Sequence, residues 1–313
     1  MIFIKCIVDL HCDSITNAFD GGFSLDDERL HFSPIRIPHD YRWLQVMAVF
    51  IPDELRGSDA RKYFEASVKY YQTYKYNNPA MFTQLEALSQ AERVMRDNPL
   101  VSVLSVEGGA VLEGNSDNVD ILYAMGVRLL TLTWNGANEL CGGVMSGGGF
   151  TPVGRQVVKR MEEVGMVVDV SHLSDEGFFE LCEFADKPFI ASHSNARSIC
   201  SHPRNLTDHM IREIISRCGL IGLNYYDQFI IDGGGSKCIT DLLQHVCHIL
   251  ELGGENALAL GSDFDGADIP DYLSGAERVP CLEEAMLHCG ISRAVVTKIM
   301  STNALRFFAE IGG

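Results

Sequence analysis

Val8-Asp9-Leu10-His11-Cys12-Asp13 stands near the start of the 313-residue chain, at the end of an apolar run from Ile2 to Val8. That run is mostly β-branched or aromatic and reads as a buried strand. Residues two apart in a strand point to the same side, so His11 and Asp13 can aim at one point just beyond the strand's end. Neutral imidazole and carboxylate are both good ligands for zinc. A lone His-x-Asp arises often by chance. It gains meaning if other strands end in similar groups.

They do. Leu44–Phe50 is a second apolar run, and Leu100–Val106 a third, ending in Glu107-Gly108-Gly109. Val127–Thr133 ends in Trp134-Asn135, Met166–Val170 in Ser171-His172, and Pro188–Ala191 in Ser192-His193. Leu220–Leu223 ends in Asn224-Tyr225-Tyr226, and Ala257–Leu260 leads into Gly261-Ser262-Asp263-Phe264-Asp265. Helical patterning fills 57–76, 84–97, 118–125, 152–164, 175–185, 207–217 and 239–252, with a helical tail from Leu282 to Phe308. Asn17 to Pro38 reads as a long loop. The glycine-rich 141–149 reads as a flexible loop beside a site or as a solvent spacer.

That makes eight candidate strands, most of them apolar on both faces, which indicates parallel pairing. Eightfold alternation with helices predicts a single (β/α)8 barrel domain over 1–313, a TIM barrel of the α/β class, rather than a doubly wound sheet. No Gly-x-Gly-x-x-Gly follows the first strand, which disfavours a dinucleotide fold. Barrel active sites sit at the C-terminal ends of the strands, so the polar residues at those ends should share one mouth. Among them are three imidazoles (His11, His172, His193) and three carboxylates (Asp13, Glu107, Asp263). A catalytic zinc takes three protein ligands plus water. Six candidates fit two ions better than one, and a paired centre calls for a bridging carboxylate. Glu107, from a strand between the others, is the best candidate.

Composition narrows the partners. A net charge of −17 argues against nucleic acid or an anionic membrane surface. No stretch of about 18 or more consecutive apolar residues occurs, so no membrane span is expected. The first strand runs straight into His11, leaving no room for a removable signal peptide. Ten scattered cysteines contain no C-x-x-C pair, so a thiolate zinc site is not expected. Free thiols in a reducing cytosol, hence a cytoplasmic location, are the simplest reading.

These segments resemble the membrane (renal) dipeptidases, peptidase family M19 of the amidohydrolase-type barrels. The resemblance rests on residues 8–13, Ser-Val-Glu-Gly-Gly at 105–109, Arg-Leu-Leu-Thr-Leu-Thr-Trp-Asn at 128–135 and Val-Asp-Val-Ser-His at 168–172. It continues through Ser-His-Ser-Asn-Ala-Arg at 192–197, Pro-Arg-Asn-Leu-Thr-Asp at 203–208 and Gly-Ser-Asp-Phe-Asp-Gly at 261–266. It implies a zinc dipeptidase with two divalent ions per chain, both zinc. His11 and Asp13 would hold one ion, His172 and His193 the other, and Glu107 would bridge them. Asp263 would be the general base. Arg204 would meet the substrate's terminal carboxylate, for which a two-pronged guanidinium is suited; a salt bridge to Asp208 is its structural alternative. Trp134, Asn135 and Tyr226 join Arg204 as expected substrate-binding residues. A homodimer is also suggested.

The chain departs from the mammalian pattern at Trp134, where those enzymes carry a His, and Asn135 or Asn138 could substitute. It also lacks their secretion signal and lipid-anchor tail, so membrane attachment is not expected. Two other functions remain open. One is a different metal-dependent hydrolase of the same barrel type, acting on a lactam, an acylated amino acid or a lactone. The other is a non-catalytic metal-binding barrel. His245 and His248, three apart on an outer helix, read as packing or surface groups. Tyr70, Tyr71, Tyr74 and Tyr76 read as core plus a subunit contact, and Ser14, Ser171 and Ser194 as hydrogen-bonding support for the ligands.

Overall fold

The computed structural model describes residues 5–311. Eight parallel strands form the wall: β1 (Lys5–Asp9), β2 (Tyr41–Phe50), β3 (Leu100–Glu107), β4 (Val127–Thr131), β5 (Val167–Asp169), β6 (Ile190–Ala191), β7 (Leu220–Leu223) and β8 (Leu258–Leu260). Each pairs in parallel with the next, and β8 returns to β1, so the sheet closes. A two-residue strand, Thr83–Gln84, pairs with Val101 and Ser102 of β3, ahead of the point where β4 begins. The expected (β/α)8 barrel is the observed fold.

The alternation of β3 shows how the strands aim their side chains. Val101 and Val103 belong to an inner cluster with Val8, Leu44, Val46, Leu129, Val167, Ile190 and Leu220. Leu100, Leu104 and Val106 belong to the outer layer, packed against helices. Two further steps along the inward register bring Glu107 to the mouth. Phe307 and Phe308, on the last helix Asn303–Ile311, join the inner cluster. Burying side chains of this size contributes about 1.5–3 kcal/mol each. Several loops end in a hydroxyl cap: Thr151, Ser174 and Thr207 each accept a hydrogen bond from the main-chain N–H three residues on, which fixes where the next helix starts.

Some expectations need correction. The Asn17–Pro38 loop begins as a helix, Ser14–Gly21, stopped by Gly22 in the left-handed region at φ 64°. Asp13 occupies its cap position but makes no side-chain cap bond, because the carboxylate faces His11 instead. The helix expected over 84–97 covers only Ala91–Asp97, after the short strand and a 3-10 turn at Leu88–Gln90. The tail is broken at Gly290, φ 86°, and contains a π-turn at Lys298–Thr302. The first strand is found as Lys5–Asp9, and residues 2–4 of that expectation lie outside the described residues. Tyr71 is core, bonded to Ser102, and Tyr74 is buried, whereas Tyr76 is 84% exposed. Among the described residues, no helix is long and apolar enough to cross a membrane.

His245 and His248 do not converge. His245 is buried; its Nδ1 accepts the Ala196 N–H at 3.1 Å and its Nε2–H donates to the Ile230 carbonyl at 2.8 Å. His248 pairs with Asp208 at 2.8 Å. Burial lowers the His245 pKa from 6.5 to about 4. The unfolded chain therefore takes up this proton first, and stability falls as pH drops from 6.5 towards 4. We expect His245→Gln to lose about 2 kcal/mol of the difference in unfolding free energy between pH 7 and pH 5. Urea unfolding of both proteins at the two pH values checks this; equal pH differences would show that His245 is not the buried proton acceptor.

Candidate metal centre

Six side chains from five strand ends meet in the mouth, all at most 9% exposed. Glu107 lies between two groups. Its Oε2 is 3.5 Å from His11 Nε2. Its Oε1 is 2.7 Å from His172 Nε2 and 3.6 Å from His193 Nε2. On the first side, His11 Nε2 is also 3.2 Å from Asp13 Oδ2 and 3.8 Å from Asp263 Oδ1. On the second, the Nε2 atoms of His172 and His193 face each other at 3.0 Å. The predicted constellation is thus brought together in full. Its ligand atoms converge as His11–Glu107–His193 and as His11–Asp13–Asp263.

Local backbone makes this convergence possible. His172 (φ 71°) and Asp263 (φ 62°) adopt the left-handed conformation, which costs a non-glycine residue of order 1–3 kcal/mol and persists only where the surroundings impose it. The surroundings of His172 are clear. Its carbonyl accepts the Val144 N–H at 2.8 Å, and its Nδ1 meets the Asn135 amide oxygen at 2.9 Å. With that oxygen as acceptor, Nδ1 carries the proton and Nε2 keeps a lone pair for a cation. The Asn135 carbonyl in turn accepts the Met145 N–H. The 141–149 segment is therefore an ordered clasp, not a flexible spacer. A Cβ on Gly142 would come within 1.9 Å of the Gly147 carbonyl, and one on Gly143 within 2.5 Å of three carbonyl oxygens.

The electrostatics fit cations. Burial pushes the Asp13 carboxyl up to about 7, with Glu107 and Asp263 adding to it against His11. Burial also raises Asp263, again with Glu107 contributing. Burial opposes ionisation of Glu107, but His11 and His172 outweigh it and hold this carboxyl well below its usual range. Burial lowers His172 to about 4 and holds His193 well below 6.5, with Arg204 adding to both. Asp13 Oδ1 is buried with no hydrogen-bond partner. His11 differs: against its burial, Asp13 and Glu107 hold it well above 6.5. Clustered carboxylates, the neutral imidazoles of His172 and His193 and an orphaned oxygen are a donor set for divalent metal, which would displace the His11 proton.

Arg204 lies beside this set, 5% exposed. It donates to Ser194 Oγ and the His193 carbonyl, both at 3.3 Å. Its Nε has no partner, and burial lowers its pKa to about 10, which leaves it cationic at neutral pH. Asp208, its expected alternative partner, is bonded to Ser198 and His248 instead. Phe229 packs under the guanidinium at 5.4 Å and Tyr226 against Phe229 at 4.7 Å. Across the mouth, Trp134 packs edge-on to Phe50 at 4.9 Å and lies 6.3 Å from the His172 ring. Asn138 is committed to the turn, bonded to Leu132, Leu140 and Cys141. Asp265 is also committed, to Ser14 Oγ and the N–H groups of His31 and Phe32.

Three residues escaped the sequence reading. Asn224 donates to Asp263 Oδ2 at 3.0 Å, and Asp9 and Asp169 lie buried beside the ligands. An acid inside an otherwise apolar strand, as in Val8-Asp9-Leu10 and Val168-Asp169-Val170, was a visible signal. Asn224, at a strand end without a charge, gave none.

Comparison with known proteins agrees with this geometry. The profile of the membrane dipeptidase family, peptidase family M19, matches residues 4–312. The chain is 32% identical over 231 residues to an uncharacterised protein in the pqqA 5′ region of Klebsiella pneumoniae, covering 70% of this chain and 85% of that protein. It is 31% identical over 226 residues to the dipeptidase tcpJ of Claviceps purpurea, covering 70% of this chain and 53% of that protein, so the match spans about half of the fungal relative. The fold is shared with a metallopeptidase from Rhodobacter sphaeroides liganded with a phosphinate mimic of the dipeptide L-Ala-D-Ala (TM-score 0.93, 22% identity, 99% of this chain and 100% of that one). Given the match over nearly its whole length, the chain belongs to the membrane dipeptidase family, peptidase family M19.

Proposed function

We propose that the whole chain, residues 1–313, is one catalytic barrel that cleaves dipeptides with two divalent ions, zinc being the metal this donor set suits best. Metal-dependent dipeptide hydrolysis is the activity of its family. The observation that carries the residue assignment is the division of Glu107, one oxygen towards His11 and the other towards His172 and His193. His11 and Asp13 would then hold one ion, His172 and His193 the second, and Glu107 would stand between them as the shared ligand. When bound, such a pair polarises the scissile carbonyl and makes water a nucleophile near neutral pH.

The chain's own groups do the rest. Asp263 takes the proton of the attacking water and delivers it to the leaving amine. Asn224 holds the second oxygen of Asp263, which fixes the carboxylate's direction. Arg204 binds the substrate's free carboxylate. Tyr226 and Phe229 form an apolar wall on that side, and Trp134 with Phe50 forms one on the His172 side. Asn135 acts mainly on His172, and its NH2 remains for the substrate. The phosphinate-liganded relative makes L-Ala-D-Ala a natural member of a test panel. No disulfide joins the ten cysteines among the described residues, which supports a reducing, cytoplasmic compartment. A homodimer remains the proposed assembly.

Three substitutions test the assignment. Glu107→Gln removes the charge shared by both halves and should lower the content of both ions; an undiminished metal complement would defeat the bridge. Asp263→Asn keeps the shape but cannot take a proton at neutral pH, so turnover should vanish with the metals still bound. Near-normal kcat there would move the base elsewhere. For Arg204→Ala, kcat/KM on free dipeptides should fall by roughly ten- to a hundredfold, the worth of lost charge-assisted hydrogen bonds. The loss should shrink for a C-terminally amidated dipeptide, which offers no carboxylate. Such a comparison between enzyme and substrate groups isolates their pairing. Equal losses on both substrates would make Arg204 structural and favour another amide as substrate.

A further inference from the structure

The barrel wall is thinnest at two seams. β5 and β6 share a single register pair, Asp169 with Ile190, and β8 and β1 share only Asp9 with Leu260. At both seams an aspartate supplies the bonds the ladder lacks. Asp9 Oδ1 accepts the N–H of His11, two residues on, and of Ser262 across the seam, at 3.1 and 3.0 Å. Asp169 Oδ1 accepts the N–H of Ser171, two residues on, and of Ser192 across the seam, at 3.0 and 2.9 Å. The aspartates differ at their second oxygen. Asp9 Oδ2 is buried without a partner. Asp169 Oδ2 accepts the hydroxyls of Thr131 at 2.6 Å and Ser192 at 2.5 Å.

Ser192 Oγ is in turn 2.7 Å from His193 Nδ1. Its one proton is committed to the carboxylate, so towards the ring it can only accept. The chain of bonds runs from His193 Nδ1–H to Ser192 Oγ–H to Asp169. It fixes the proton on Nδ1 and leaves the lone pair on Nε2, the atom facing Glu107 and His172. Asp169 also holds both peptides that precede the two imidazoles, through Ser171 and Ser192. Its carboxylate is 2% exposed and saturated by four donors, so it is a rigid anchor.

We infer that Asp169, acting through Ser192, is the positioning residue that sets the orientation and tautomer of His193 and so assembles the His172–His193 half of the centre before a metal arrives. This rests on the reading of His193 as a metal ligand. Asp9 gives the His11–Asp13 half the same main-chain support, but among the described residues no side-chain relay runs from it to a ligand: its Oδ2 and Asp13 Oδ1 are both unpartnered. The two halves should therefore depend on different supports.

Zinc release to a chromophoric chelator, measured on wild-type protein and on Ser192→Ala and Ser192→Thr, tests this. Ser192→Ala removes the hydroxyl but keeps the main-chain bond to Asp169. We expect one of two ions to be lost about 10- to 100-fold more readily, with the second ion unchanged. Ser192→Thr keeps the hydroxyl and should restore wild-type release. Wild-type release from Ser192→Ala, or equal weakening in the threonine variant, would overturn the relay. A wild-type protein that binds fewer than two ions would overturn the two-ion reading itself, and the relay with it.

Discussion

Everything at the mouth of this barrel depends on Glu107 lying between two sets of nitrogen donors. A buried carboxylate with no counter-charge would neutralise itself by taking a proton. This one stays ionised because His11 and His172 outweigh its burial. The consequence runs outwards. Asp13 and Asp263 must share the space with an ionised neighbour, and both are driven up by burial and by that charge. Such a cluster is poorly balanced by protein groups alone, and binding a divalent cation relieves it.

The fold supplies the rigidity this requires. Apart from Glu107, the last residue of β3, the site residues lie two to four residues beyond their strands, in segments where His172 and Asp263 carry left-handed backbone. Strain of that kind is held only by over-determined surroundings. Here the surroundings are hydrogen bonds: the glycine clasp on the His172 carbonyl, Asn135 on its ring, Asn224 on Asp263, and the aspartates at the two thin seams. The apolar interior and the helical shell carry most of the stability. That frees the short upper ends of β5, β6 and β8 to serve geometry rather than pairing.

How much of this the sequence carried depended on the kind of signal. Strands buried on both faces are long apolar runs, and helices between them have caps and periodicity, so the barrel was legible. The ligands were legible because charged or imidazole groups recur directly after apolar runs. The Ser14–Gly21 helix was not, because its cap position is filled by Asp13, whose side chain serves the metal centre instead of the helix. The order of 141–149 was hidden for a similar reason. Glycines there permit close backbone approach to Trp134, Asn135 and Gly136, and in sequence that requirement looks the same as looseness. Asn224 and Ser192 are small neutral residues whose importance exists only through what they touch.

Charge also bears on the proposal of two ions. Five carboxylates lie in or just beneath the mouth: Asp9, Asp13, Glu107, Asp169 and Asp263. The three imidazoles offer lone pairs, not charge, when they act as ligands. Arg204 is the buried cation set against them, and it has its own task at the substrate's carboxylate. One divalent ion would leave a buried site with a net negative charge, which is costly in a low-dielectric interior and would repel an anionic substrate end. The two proposed ions together with Arg204 would balance the five carboxylates when all are ionised, and a dipeptide would then enter a neutral site, where its carboxylate could reach Arg204 without first displacing a protein acid.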